Sequence, residues 1–142
     1  MVEFDPTKSL QELENEDWGE PNFDSHLVQE CHRLRRIPLK DLSVENLRIL
    51  IGQNIGLNYL VPLAIEKLVQ NPLAEGSFYA GDLLVNVLRI KPGFWSKFPA
   101  LKTKVAQIAD EAFEIPSITK VEFESIREAY DFFSAIPRTT KS

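Results

Sequence analysis

The sequence predicts an all-α fold, a compact single-domain bundle of about six to seven helices over residues 1–142. Three observations predict it. Apolar residues recur at helical period: Leu57, Leu60, Val61, Ala64, Ile65 and Leu68 fall at i, i+3, i+4, i+7, i+8 and i+11. Capping residues and prolines punctuate such stripes at intervals that suit helices. No stretch of useful length alternates apolar and polar residues as a strand would, and no repeat, low-complexity tract or linker divides the chain. At 142 residues it is long enough to bury about two thirds of its unfolded surface in one core.

Taken in order, Ser9-Leu10-Gln11-Glu12 has the form of a capping box, so a short helix starts at Ser9. It stops before the turn written by Trp18-Gly19-Glu20-Pro21. Asp24 or Ser25 caps the next helix, predicted through about Arg36, with Leu27, Val28, Cys31 and Leu34 on its inner face. Arg33, Arg35 and Arg36 load its last turn, where cations meet the negative end of the helix dipole, and Pro38 closes it. Ser43 caps the first of two central helices. It carries Val44, Leu47, Leu50 and Ile51 on one side and Ile49 on another, and it breaks over residues 52–56. The second central helix holds the stripe from Leu57 to Leu68. If it starts at Tyr59, Pro62 falls in the first turn; if at Leu57, Pro62 removes a hydrogen bond and kinks the helix.

Asn71-Pro72 ends that element, residues 73–81 form a loop carrying Phe78 and Tyr79, and Asp82 is positioned as the next N-cap. Leu84, Val87 and Leu88 supply the following inner face, stopped by Pro92-Gly93. Phe94, Trp95 and Phe98 make an aromatic cluster on one helical turn. Pro99 opens a helix with Leu101, Val105, Ile108, Ala109 and Ala112 in phase, and Pro116 ends it. In the last helix Thr119 and Glu122 form a capping box, Ile118 and Phe123 occupy the staple positions, and Ile126, Tyr130 and Phe133 face inward. Residues 1–8 and 137–142 read as loose ends.

Composition narrows the functional classes. No run approaches the roughly 18 uncharged apolar residues of a membrane span, and the N-terminus lacks a basic start and an apolar core of a secretory signal. The lone Cys31 excludes an internal disulfide framework and fits a reducing compartment, so a cytoplasmic location is expected. The net charge of −5 is unevenly spread. Residues 1–30 carry Glu3, Asp5, Glu12, Glu14, Glu16, Asp17, Glu20, Asp24 and Glu30 against Lys8 alone, whereas Arg33, Arg35, Arg36, Lys40 and Arg48 dominate residues 31–50. An acidic excess opposes nucleic-acid binding and suits a basic protein partner, although a solvated face alone accounts for many acidic runs.

Little in the chain points to catalysis. His26, His32 and Cys31 are its nitrogen and sulfur donors for a metal, and the two histidines lie about 240° apart around one helix, so no metal or other cofactor is expected. Cys31, on an inner face, reads as a small core residue rather than a nucleophile. There is no Gly-x-Ser-x-Gly elbow and no phosphate-cradling glycine loop, and nothing in the sequence desolvates one carboxylate of Glu14, Glu16 and Asp17 against another. An enzyme is not expected, and neither is a small-molecule substrate. Gln53-Asn54 beside the apolar core could line a groove, but such amides more often satisfy backbone groups freed where two helices break.

The string itself carries more. LQELEN at 10–15, WGEP at 18–21, DSHLV at 24–28, CHRLRRIPLKDLSVENLRILIGQNIGLNYLVPLAIE at 31–66, NPLAEGSFYAGDLL at 71–84 and the Phe94-Trp95 pair resemble one helical family of immunity proteins from contact-dependent growth inhibition (CDI) systems. The likeness covers roughly residues 10–96; residues 97–142 carry nothing specific to that family, and Ala80 stands where a proline is expected in relatives. The resemblance implies a cytoplasmic protein that binds and neutralises the C-terminal domain of a cognate toxin, often a nuclease, by stoichiometric occlusion. With a protein as its partner, two surfaces are candidates for the contact. One is Glu14, Glu16, Asp17, Trp18, Glu20 and Asp24, with Trp18 as aromatic anchor and the carboxylates as its rim; its rival reading is a tryptophan packed on the bundle. The other is Phe78, Tyr79 and Asp82, whose rival reading is loop packing plus a helix cap. A helical adaptor for some other basic protein is the alternative function.

Overall fold

A computed structural model describes residues 4–19 and 25–135, and among them the chain is all α, with no strand. Eight helices follow in order: α1 Leu10–Glu14, α2 His26–Leu34, α3 Val44–Gly52, α4 Leu57–Gln70, α5 Asp82–Leu88, α6 Pro92–Lys97, α7 Pro99–Phe113 and α8 Lys120–Ser134. A 3-10 turn, Leu39–Asp41, joins α2 to α3. That is one helix more than expected, because the aromatic turn around Phe94 is a helix in its own right, opened by Pro92 at its first position.

The local signals for helix starts work as chemistry requires. Ser9 and Glu12 close a capping box on α1, and Thr119 and Glu122 close one on α8. On α3, Ser43 pairs in the same reciprocal way with Asn46, an amide standing in for the usual carboxylate. Ser25 caps α2, accepting from the amide of Val28. Two ends differ from expectation. Helix α2 stops at Leu34 rather than Arg36, since the amides of Arg36 and Ile37 tighten onto the carbonyls of Arg33 and Leu34. The cap of α5 is Gly81, in a left-handed conformation with φ of 93°, and Asp82 is the first helical residue instead. Helix α4 takes the earlier of its two possible starts, at Leu57. Pro62 therefore lies inside it and leaves the Asn58 carbonyl without its helical donor.

The core forms where the stripes meet. Leu57, Leu60, Val61, Ala64, Ile65 and Leu68 of α4 are all buried, as are Leu47, Leu50 and Ile51 of α3. The most enclosed element is α5: six of its seven residues are buried, with α3, α4 and α8 around it. A helix covered on every side needs no polar stripe, so Leu83 and Val85 are buried beside the expected face of Leu84, Val87 and Leu88. Trp95 of α6 stacks edge-on against Phe94 and Phe133, joining α6 to α8.

The N-terminal segment is tied to this body. The amides of Leu39 and Lys40 donate to the carbonyls of Lys8 and Pro6 at 2.9 Å each, and Phe4 meets Tyr59 edge to face. Residues 1–3 of the expected loose N-terminal end lie outside the described residues. The other expected loose end, 137–142, lies outside the described residues.

Candidate partner-binding site

The acidic N-terminal segment is organised by Arg35 and Arg36, just past the end of α2, rather than standing free. Arg35 is 1% exposed and donates from Nη2 to Glu14 Oε1 at 2.6 Å, while both its terminal nitrogens reach the Glu16 carbonyl at 3.2 and 3.3 Å. Its guanidinium lies 4.3 Å from the centre of the Trp18 ring, and His32 meets that ring edge to face. Arg36 donates to the Gly19 carbonyl and lies 3.9 Å from Asp17, whose carboxylate accepts from the Gly19 amide at 2.7 Å. His32 Nδ1 also donates to the Gly19 carbonyl, an oxygen that can only accept.

So Glu14 is committed to Arg35, and Asp17 shapes its own turn. Glu16 is exposed, and Trp18 is 39% exposed with one face on Arg35. Both readings of Trp18 are partly realised: it packs on the bundle and it still shows surface. Glu20 and Asp24 lie outside the described residues. The sequence marked Arg35 only as a cation near a helix end. Its burial follows from the chain returning over α2, which no local pattern reports.

The second surface is more tightly built. Asp82, 1% exposed, accepts from the amides of Gly76 at 2.6 Å, Phe78 at 3.0 Å and Tyr79 at 3.3 Å. Glu45 of α3 accepts the remaining amide of that run, Ser77, at 2.7 Å and takes a two-point ion pair from Arg48 at 2.7 and 2.6 Å. Arg48 Nε also stands 3.9 Å from Asp82. The Phe78 ring, 70% exposed, lies over the Arg48 guanidinium at 4.2 Å. Gly76 suits this packing: a Cβ there would lie 2.5 Å from Glu45 Oε1 and 3.1 Å from Asp82, so the carboxylates that hold the loop would have to shift. An isolated bridge between Glu75 and Ala80 closes the loop.

Electrostatics follow the contacts. The Arg48 fork holds the Glu45 carboxyl below the ordinary glutamate value, against a smaller opposing effect of burial and helped by the Ser77 amide. Glu45 in turn pushes Arg48 up. Burial raises the Tyr79 phenol, with Asp82 adding to it. The sequence named Phe78, Tyr79 and Asp82 together. It gave Glu45 and Arg48 no part in this surface, although their i, i+3 spacing on α3 was a usable signal for an ion pair.

Elsewhere, an open cleft of about 460 Å³ is lined by Asn54, Asn58, Lys91, Phe94 and Lys97 among others. Asn54 both lines it and accepts from the Lys91 amide at 3.4 Å, in a left-handed conformation with φ of 58°. Among the described residues no three His, Cys, Asp or Glu side chains gather where they could hold a metal ion, and no helix is long and apolar enough to cross a membrane.

The family model described as CDI immunity proteins matches residues 12–105, about two thirds of the chain. The chain belongs to the CDI immunity proteins. No curated protein matches it. Both surfaces of this immunity protein fall inside the matched stretch, whereas α8, which packs on α5, lies beyond it.

Proposed function

We propose that this immunity protein neutralises the C-terminal domain of one cognate toxin by binding it in a stoichiometric complex that occludes its working surface, without turnover. What supports the reading is family membership over residues 12–105, a stretch that includes a hydrogen-bonded loop with an exposed aromatic ring. A standard protein interface buries about 1,600 Å² in total, and this protein exposes 8229 Å² over its described residues, so one face suffices.

The toxin proposed is a nuclease. Nuclease domains need cationic surfaces to hold phosphates, and a protein of net charge −5 complements such a surface and gains a steered, faster encounter. Action in the cytoplasm, where a delivered toxin meets its target, completes the proposal. Co-expression with the toxin domain encoded beside the immunity gene tests it. The expected result is rescue of viability and co-purification of the two chains in equal amounts. Cells that die despite soluble immunity protein would overturn the reading.

A further inference from the structure

We infer that the loop of residues 75–81 is a pre-set knob: Phe78 enters an apolar pocket on the toxin domain, and Arg48, held by Glu45, positions the ring for it. The inference rests on the toxin-binding reading and deepens it by naming what the partner must offer.

Four successive amides, of Gly76, Ser77, Phe78 and Tyr79, all turn inward onto two carboxylates, those of Asp82 and Glu45. Concavities of this kind ordinarily attract anions or main-chain partners, but here the protein's own carboxylates fill them. The loop therefore has no donor in that run to extend to a partner strand or to an anion. Arg48 is equally committed, with its charge balanced by the two-point pair to Glu45 and a side chain 13% exposed. What remains for a partner is the ring. Phe78 is 70% exposed even with the Arg48 guanidinium lying against its ring at 4.2 Å.

A ring already fixed on a charged plane loses little rotational freedom on binding, and a large apolar side chain held in water gains by entering a dry pocket. Its complement is an apolar cavity the size of a phenyl ring. Trp18 offers less, at 39% exposure with Arg35 on one face and His32 at its edge.

The test uses the full-length immunity protein and, as probe, the purified toxin domain encoded beside it, with association and dissociation rates measured separately. Phe78→Ala is expected to weaken binding at least about thirtyfold, mostly through faster dissociation, with an unchanged melting temperature; Phe78→Leu stays within about tenfold of wild type. Arg48→Lys keeps the cation but loses the fork to Glu45 and the flat stack beneath the ring. If Arg48 acts through Phe78, Arg48→Lys weakens binding on its own but adds nothing on top of Phe78→Ala, whereas a purely structural role predicts additive losses. Additive losses overturn the positioning role of Arg48. A wild-type protein that binds while Phe78→Ala binds equally well overturns the inference and leaves the toxin-binding reading intact; a wild-type protein that does not bind removes that reading and the inference together.

Discussion

Asp82 begins a helix, yet its carboxylate turns back to the loop before it and accepts three of that loop's amides. Buried donors that lose their acceptor keep the full cost of desolvation, so Asp82→Ala should destabilise the fold by about 1–3 kcal/mol in urea denaturation. A loss under about 0.5 kcal/mol, the range of ordinary surface positions, would contradict that role. Glu45 serves the fourth amide, and its lowered pKa fixes the sign of a pH effect. A carboxyl whose folded value is depressed contributes stability that is complete above its unfolded value, about 4.3, and lost as the pH falls through the lower folded value. The Ser77 amide resonance should therefore titrate with a midpoint below about 4.3, tracking Glu45, and a midpoint at or above it would separate the two groups. From the sequence, Asp82 was recognisable as the start of a helix. Which amides it serves was not, because that depends on the path of residues 76–79, and only the folded loop turns them toward it.

At the scale of elements, α4 was the most legible, since its apolar stripe repeats through Leu57, Leu60, Val61, Ala64, Ile65 and Leu68 and every one of these is buried. Leu60 is fully enclosed, so Leu60→Ala should cost about 2–5 kcal/mol by calorimetry or denaturant. A cost below about 0.5 kcal/mol would remove it from the core. The caps at Ser9, Ser43 and Thr119 were equally readable, because a cap is a bargain between residues three positions apart and owes nothing to distant parts of the chain. By contrast α5, the most enclosed helix, showed only part of itself in the sequence: the expected inner face of Leu84, Val87 and Leu88 is buried, but so are Leu83 and Val85, and periodicity is informative only where one side meets water. The end of α2, where the Arg36 and Ile37 amides tighten onto Arg33 and Leu34, and the early start of α4 that puts Pro62 inside it were not written in the apolar stripes.

For the whole molecule, charge is the property a partner feels first. Glu16 is the cleanest probe of the acidic N-terminal surface, since Glu14 is bound to Arg35 and Asp17 holds the Gly19 turn. Glu16→Lys should slow association with the toxin domain about two- to fivefold at low ionic strength and flatten the salt dependence, with little change in dissociation. Unaltered association rates would place the steering surface elsewhere.

By itself, the sequence determined the helical class, most helix starts, the α4 stripe and the kinship with CDI immunity proteins, because periodicity, capping and motif spacing are written in near neighbours along the chain. Tertiary structure alone decided that Arg35 is buried beneath Trp18, and that Glu45 and Arg48 of α3 hold a loop some thirty residues downstream and set Phe78 out in solvent. Contacts of that kind form only after the chain has folded back on itself, so the residues that make them carry no mark of it in their local order.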